Sequence, residues 1–464
     1  MIVTHAVRRI DNGLVIALVL GAVLRLLPLW EWSRRPCIRD ECTYRELAAS
    51  IARGDGMVGT RGWLWAPGYP SVIAAHAELT GWINSVKYTQ VAVATLTIWL
   101  LWRFTRAHFG ARAATIAALL LALNPTHIFY ASSLWSECFY TALLFATVNA
   151  IGWARGEAPG AAPDPHAGRW QRGIVVGLLL GGCVLFRGVA TYLLPCALLA
   201  ILWGRWRVVT AWKAGLAVVL AAAVVVAPYS AYASQKFDGF VVSDRTLGQM
   251  MWLGNNDYQP VTFDFGNGVL SDKLFDKIQA TGRGHCRYED DPVQQDACEL
   301  AAGMAWIERH PAEFLKRVPL RVSQMLTPHS LLTRNLRTGR WHGLPEWFDE
   351  LLIGAVAVFS FTVMVGGTVG LFARGRGWYA VAAVVVVGYH VAAIACLAGL
   401  SRYRVPLEPL WMVFAGGLLA DPRSAWTGLR LSRWRLVGVF VVTAILLALM
   451  LRFLPAGWRG WRTW

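Results

Sequence analysis

The sequence predicts an all-α polytopic membrane protein, and three observations carry that expectation. The chain is strongly apolar: 56% of its 464 residues are hydrophobic and only 16% are charged, with a mean hydropathy of +0.43. Apolar runs near or above the roughly 18 residues that suggest a membrane helix recur along it. Between those runs, arginines and lysines collect in every second loop, the pattern of cytoplasmic loops. Loop placement and anionic lipid therefore account for the net charge of +16 without any nucleic acid. The 24 Trp residues suit interfacial belts.

Taken in order, the runs give about eleven spans. They lie near 13–30, 86–102, 113–131, 135–153, 173–186, 188–204, 214–233, 351–373, 378–400, 405–420 and 436–454. The first follows Arg8-Arg9 like a secretion signal, but no small-residue cleavage site comes after it, so an uncleaved helix is expected. Basic loops follow at Arg103, Arg106 and Arg112; at Arg155, Arg169 and Arg172; and at Arg205, Arg207 and Lys213. Arg374 and Arg376, then Arg423, Arg430, Arg433 and Arg435, complete the series. The N-terminus is then cytoplasmic. This topology requires the segment from Pro67 to Trp82, which is short and carries His76 and Glu78, to be an interfacial or re-entrant helix on the outer side. The first outer loop carries Arg34, Arg35, Arg39, Arg45, Arg53 and Arg61 against a nearly equal set of acids, a basic content that an anionic ligand would also explain.

Three units follow: an N-terminal membrane module over 1–233 with an outer loop at about 31–82, an exoplasmic loop domain over 234–350 forming a small soluble cap, and a C-terminal membrane module over 351–464. The cap contains Gly-Asn-Asn at 254–256 and a helical-looking stretch from Asp296 to Arg321. Cys286 and Cys298 lie twelve positions apart in it, where an oxidising space would allow a disulfide. Cys37 and Cys42 could bridge as well. The other four cysteines fall in or near apolar spans as packing residues, and no Cys/His group has zinc-finger spacing.

With this topology, charges from distant positions meet at one outer face. Asp40 and Glu41 follow the first span, and adjacent carboxylates beside lipid are costly. Glu137 opens the fourth span, Arg187 lies between the fifth and sixth, and Arg402-Tyr403-Arg404 precedes the tenth. Each has a plain structural alternative. Asp40 would cap the helix that Glu41 to Ala52 suggests. Glu137 would pair with an arginine, the arginines would snorkel to headgroups, and Glu408 would neutralise Arg404 one turn away. His390, inside a span, is expected to pack. The shared side and depth favour a site that handles an anion.

The local motifs resemble a known family. Asp40-Glu41-x-x-Tyr44, Ala48, Arg53-Gly54-Asp55-Gly56 and Ala66-Pro67-Gly68-Tyr69-Pro70 are similar to the first outer loop of GT-C glycosyltransferases. The branch is that of protein O-mannosyltransferases and the bacterial lipid A aminoarabinose transferase. Asn124-Pro125 with Ser136-Glu137, the glycine-rich run from Gly177 to Arg187, and Arg402-Tyr403-Arg404-Val405-Pro406 with Pro409 continue the resemblance. It departs at Ala66-Pro67-Gly68, where the branch often has Pro-Pro preceded by Lys, and this shifts phosphate binding onto Arg187, Arg402 and Arg404.

The resemblance implies a GT-C fold in a bacterial inner membrane, with a periplasmic site that takes a hexose or pentose from a polyprenyl-phosphate donor. The acceptor would be a glycan, lipid or protein, and the chain would act as a monomer among membrane lipids. Asp40 would be the general base of an inverting displacement. Glu41 and Glu137 would orient the acceptor, and Asp40 with Glu41 could hold Mg²⁺ or Mn²⁺. Tyr44, Pro67 and Tyr69 would shape the donor and acceptor loop, with the prenyl tail in a groove near 67–82. The alternatives are an oligosaccharide ligase or polymerase of related fold, and a non-enzymatic transporter of lipid-linked sugar. The latter calls for inverted repeats and mid-membrane charges, and no internal repeat is evident.

Overall fold

The computed structural model describes residues 11–32, 37–38, 40–58, 64–156, 168–257, 286, 291–337, 345–430 and 432–451. The expectations for Arg8, Arg9, Arg34, Arg35, Arg39 and Arg61, and for most of 258–290, fall outside them. Among the described residues every regular element is a helix, and the only β contact is an isolated antiparallel bridge between Leu64 and Arg245.

The N-terminal body comprises α1 (Asn12–Trp32), α2 (Asp40–Ala52), α3 (Gly68–Thr80), α4 (Val86–Phe109), α5 (Ala111–Leu123), α6 (Pro125–Ser132), α7 (Glu137–Arg155), α8 (Trp170–Phe186), α9 (Leu193–Leu202) and α10 (Val209–Lys236). The cap follows as α11 (Leu247–Gly254), α12 (Pro292–Arg309), α13 (Pro311–Leu326) and α14 (Leu331–Arg337). The C-terminal body is α15 (Glu346–Arg374), α16 (Gly377–Cys396), a 3₁₀ turn at Ser401–Leu407, α17 (Glu408–Ala420), α18 (Pro422–Arg430) and α19 (Arg433–Leu451).

By length and composition five helices can cross a membrane: α1, α10, α15, α16 and α19. A sixth span exists if α5 and α6, bent by 55° to one another, count as one. The expected count of eleven is therefore not reached on that measure. Three of the expected spans, α8, α9 and α17, are too short on that measure, and α4 and α7 carry polar residues that their neighbours satisfy. In α4, buried Gln90 spends its amide on the carbonyls of Ala131 at 3.0 Å and Ser133 at 2.7 Å. In α7, buried Arg155 donates to the carbonyls of Ala200 and Ile201. Neither helix is apolar all round, and their neighbours satisfy what lipid could not.

The break between α5 and α6 follows from its sequence. Pro125 has no N–H to give Leu121 and drives Asn124 into an extended conformation, φ −67° and ψ 114°. Asn124 then caps α6, accepting from the backbone N–H of Thr126 and His127. The carbonyls of Leu121 and Ala122 are left without helical partners. Arg25 of α1, fully buried, supplies them, donating to Leu121 O at 2.9 Å and Ala122 O at 3.0 Å.

α8 and α10 pack backbone to backbone along Gly173, Gly177 and Gly181. A methyl group on Gly173 would meet the carbonyl oxygen of Ala214 at 2.3 Å, and one on Gly177 that of Val218 at 2.4 Å. This is the small-residue stripe by which membrane helices approach closely. At the outer end, Cys286 and Cys298 form a disulfide, as do Cys37 and Cys42. The Gly254-Asn255-Asn256 turn docks the cap on the membrane body. Arg321 of α13 donates to Gly254 O at 2.6 Å, Asn255 Oδ1 at 2.7 Å and Ala395 O at 2.9 Å. Asn255 itself donates to Cys396 O at 3.0 Å.

Gly177→Val should overpack the α8–α10 seam and cost about 1–3 kcal/mol, read as a lower melting temperature in detergent. Gly182→Ala, whose added methyl would sit 3.5 Å from Leu143, should leave it within experimental error.

Candidate active site

α2 begins at Asp40, so the Asp40-Glu41 pair occupies its first turn, where carboxylates favour the helix dipole. The Cys37–Cys42 disulfide brackets that turn. The two carboxylates then part company. Asp40 Oδ2 accepts from Arg402 Nη1 at 2.5 Å, with both side chains about a quarter exposed. Glu41 accepts from the backbone N–H of Leu134 at 2.8 Å and of Ile38 at 3.3 Å. Burial raises its carboxyl above the ordinary value, against the pull of the Leu134 N–H. Glu41 thus ties the first loop to the turn before α7.

Glu137, buried at the start of α7, accepts from Arg187 Nη1 at 2.8 Å. Arg187 lies over the rings of Tyr140 and Tyr403 at 5.7 and 5.4 Å. Arg402 lies over Trp135 and the same Tyr403, both at 5.4 Å. The result is a continuous row, Asp40–Arg402–Tyr403–Arg187–Glu137, drawn from the first loop, the start of α7, the end of α8 and the turn before α17. The Tyr403 hydroxyl donates to Met250 Sδ at 3.7 Å, which fixes the ring from the cap side.

Arg187, Arg402 and Tyr403 face a cavity of about 650 Å³. Its wall is largely apolar, with Phe186, Val189, Tyr192 and Ile394 from the helical bundle and Trp65, Met250 and Met251 from the connecting segments. Asp40 and Glu137 are absent from the lining and reach it through their arginines.

Other candidates from the sequence take structural positions. Arg404 is fully buried and turned away from the cavity. It pairs with Glu408 at 3.0 Å, donates to Ser360 Oγ at 3.0 Å and to His329 O at 3.2 Å, and also reaches Thr327 O. Glu408 is further held by His127 and Asn124, each at 3.1 Å. The phosphate role expected of Arg404 is therefore not available to it in this geometry, because all its directions are spent inside the protein. Tyr69 is buried and donates to Gln90 at 2.5 Å. Tyr44 lines the cavity, donating to Ser136 Oγ at 3.1 Å and meeting Trp65 and Tyr69 edge-on. Pro67 caps α3. His390 has its Nδ1 within 2.8 Å of Val386 O, yet its side chain also reaches the cavity wall.

The expected metal site at Asp40 and Glu41 does not fit the residues. Asp40 is engaged by Arg402 and both Glu41 oxygens by backbone N–H groups, so no two carboxylates converge. Among the described residues no group of three or more His, Cys, Asp or Glu is placed to hold an ion.

The sequence reading missed Asp244 and Asp296, the two carboxylates that do line the cavity. Asp296 sits 3.5 Å from Arg245 and accepts from the Gly248 N–H at 2.6 Å. Asp244 accepts from Thr246 Oγ1 at 3.2 Å and from the backbone N–H of Gly188. Burial, then the nearby Asp296, pushes its carboxyl up to about 6. The available signal was Ser243-Asp244-Arg245, a charged step just beyond α10; the Leu64–Arg245 bridge that brings it to the first loop has no local signature.

The chain can be set beside known proteins. Residues 66–232 match the family model of dolichyl-phosphate-mannose-protein mannosyltransferase. The chain is similar in structure to the Archaeoglobus fulgidus oligosaccharyltransferase AglB, solved with an inhibitory peptide and a dolichol-phosphate: TM-score 0.52, 14% identity, 94% of this chain and 54% of that one. The same archaeal enzyme, solved with Zn and sulfate, gives 0.50, 12%, 93% and 52%. ArnT from Cupriavidus metallidurans, bound to undecaprenyl phosphate, gives 0.41, 18%, 89% and 77%. The chain thus spans about half the length of the oligosaccharyltransferase it resembles. No curated protein matches the sequence. The chain is an all-helical protein with several helices apolar enough to cross a membrane, and its fold is similar to that of the archaeal oligosaccharyltransferase.

Arg404→Ala should cost about 3–5 kcal/mol by stranding Glu408 without its charge partner. Adding Glu408→Gln should restore part of it. Thermal unfolding in detergent measures both, and an unchanged melting temperature with weakened donor binding would return Arg404 to the cavity.

Proposed function

We propose that the protein moves a hexose or pentose from a polyprenyl-phosphate donor to a hydroxyl of a glycan, lipid or protein on the periplasmic face of a bacterial inner membrane. The observation that carries this is the row Asp40–Arg402–Tyr403–Arg187 at the wall of a mostly apolar cavity. An isoprenoid tail suits the apolar wall, and a lipid phosphate suits two guanidinium groups that cluster on one ring. The basic loops at Arg103–Arg112 and Arg205–Lys213 support a cytoplasmic N-terminus, with this face outside.

The chemistry follows from the pairing. In the free protein Asp40 is paired with Arg402. A donor phosphate competes for Arg402 and Arg187, which loosens Asp40 from its partner and leaves it as a base beside the reacting centre. Asp40 accepts the proton of the acceptor hydroxyl as that oxygen attacks the anomeric carbon. The bond from that carbon to the phosphate oxygen breaks, and the anomeric centre inverts. The charge that develops on the leaving polyprenyl phosphate is taken by Arg187 and Arg402. Glu137 keeps Arg187 aimed, Glu41 fixes the loop that carries Asp40, and Tyr44 shapes the cavity. No step is assigned to a metal, since the carboxylates that would hold it are otherwise engaged.

Asp40→Asn should lower transfer by about 10²–10⁴-fold with unchanged melting behaviour; undiminished turnover would remove Asp40 as the base. Arg402→Gln should raise the KM for donor by about tenfold or more with a smaller change in the KM for acceptor. Equal changes in both would argue against contact with the phosphate. Steady-state transfer assays in nanodiscs check these outcomes.

A further inference from the structure

The proposed row accounts for the phosphate and the base but leaves the sugar without a partner. Among the described residues the three arginines of the cavity wall each have a carboxylate: Arg187 has Glu137, Arg402 has Asp40 and Arg245 has Asp296. Asp244 is the lining carboxylate outside these pairs. Its backbone position is fixed by the bridge from Arg245 to Leu64, whose N–H···O bond is 2.7 Å. Its side chain packs against Gly188 so closely that a methyl group there would meet Asp244 Oδ1 at 2.0 Å. Gly188 directly follows Arg187, so one peptide unit separates the residue that binds phosphate from the one that presents this carboxylate.

We propose that Asp244 recognises the sugar of the donor, accepting hydrogen bonds from the ring hydroxyls of a sugar whose phosphate lies on Arg187; this rests on the polyprenyl-phosphate reading above. A carboxylate offers about four lone-pair sites. The Gly188 N–H and the Thr246 hydroxyl occupy two of them, which leaves room for the two O–H donors of a vicinal diol. The sugar of a glycosyl phosphate is bonded directly to the phosphate, so its hydroxyls fall within reach of a group placed one residue beyond the phosphate's arginine. Hydroxyl recognition by a desolvated carboxylate is also discriminating, since a sugar that lacks the matching hydroxyl leaves that carboxylate unpaired.

The test measures binding to the full-length protein in detergent. The probes are undecaprenyl phosphate alone, undecaprenyl phosphate carrying mannose, glucose, galactose or arabinose, and the same lipid carrying an amino pentose. Wild-type protein should bind one of the sugar lipids more tightly than the bare lipid phosphate. Asp244→Asn should lose about tenfold or more for that ligand, with affinity for bare undecaprenyl phosphate changed less than twofold. The retained lipid affinity is the control for folding. Equal losses for both ligands, or no loss for either, would overturn the assignment of Asp244. So would a wild-type protein that binds every sugar lipid no better than the bare one. Failure of wild type to bind undecaprenyl phosphate better than undecaprenol would instead overturn the reading of function on which this proposal rests.

Discussion

The ion pair between Asp40 and Arg402 joins positions 362 residues apart, and the arrangement of the outer face depends on it. It places the first turn of α2 against the turn that leads into α17, beside the cavity. Its neighbours act in the same direction: Glu41 ties the loop to Leu134, and Arg187 ties the end of α8 to the start of α7. Each tie is a charged group whose partner comes from another element, so the outer ends of helices that meet only through side chains are held in register.

Below that face the rule is the same but the purpose differs. Arg25 and Arg404 are both fully buried, and neither touches the cavity. Each satisfies carbonyl oxygens released where a helix stops: Arg25 those at the end of α5, and Arg404 those of the 325–329 turn. A lipid-facing protein cannot leave such groups unpaired. A guanidinium, with five donors in a fixed fork, serves several at once. The four arginines 25, 187, 402 and 404 therefore divide into two structural clamps and two that face the cavity, a division set by what each side chain finds around it rather than by residue type.

That division explains how much could be read from the sequence. The membrane class and the GT-C resemblance were legible, because hydropathy and the Asp-Glu, Arg187 and Arg-Tyr-Arg motifs are local. The pairing of Glu137 with an arginine and of Arg404 with Glu408 was also legible, the second from one-turn spacing alone. What separates Arg402 from Arg404 was not. They are two residues apart in a 3₁₀ turn, which aims them in different directions, and only the packed structure shows which one reaches the cavity. Asp244 was hidden for a related reason: its two neighbours, Gly188 and Leu64, arrive from elsewhere in the chain. The number of spans is harder to read, because α8, α9 and α17 are short and α4 and α7 mix apolar residues with polar ones that find partners within the bundle.

The remaining step concerns why the two cavity arginines are held together at all. Arg187 and Arg402 each approach the Tyr403 ring at 5.4 Å. Two cations beside one ring repel, and the ring's negative faces offset that only in part. Glu137 and Asp40 supply the balance, one to each arginine, from outside the cavity. The two carboxylates are not equivalent: Glu137 is 1% exposed, and the Asp40 side chain is 26% exposed. A buried pair resists separation, because stranding a charge in a low dielectric is costly, whereas a partly solvated one gives way at small cost. An anion entering between the arginines therefore competes more easily with Asp40 than with Glu137. Arg187 keeps its partner and stays aimed, while Arg402 turns to the anion and releases Asp40. On the proposed reading, that difference in burial couples donor binding to the freeing of the base.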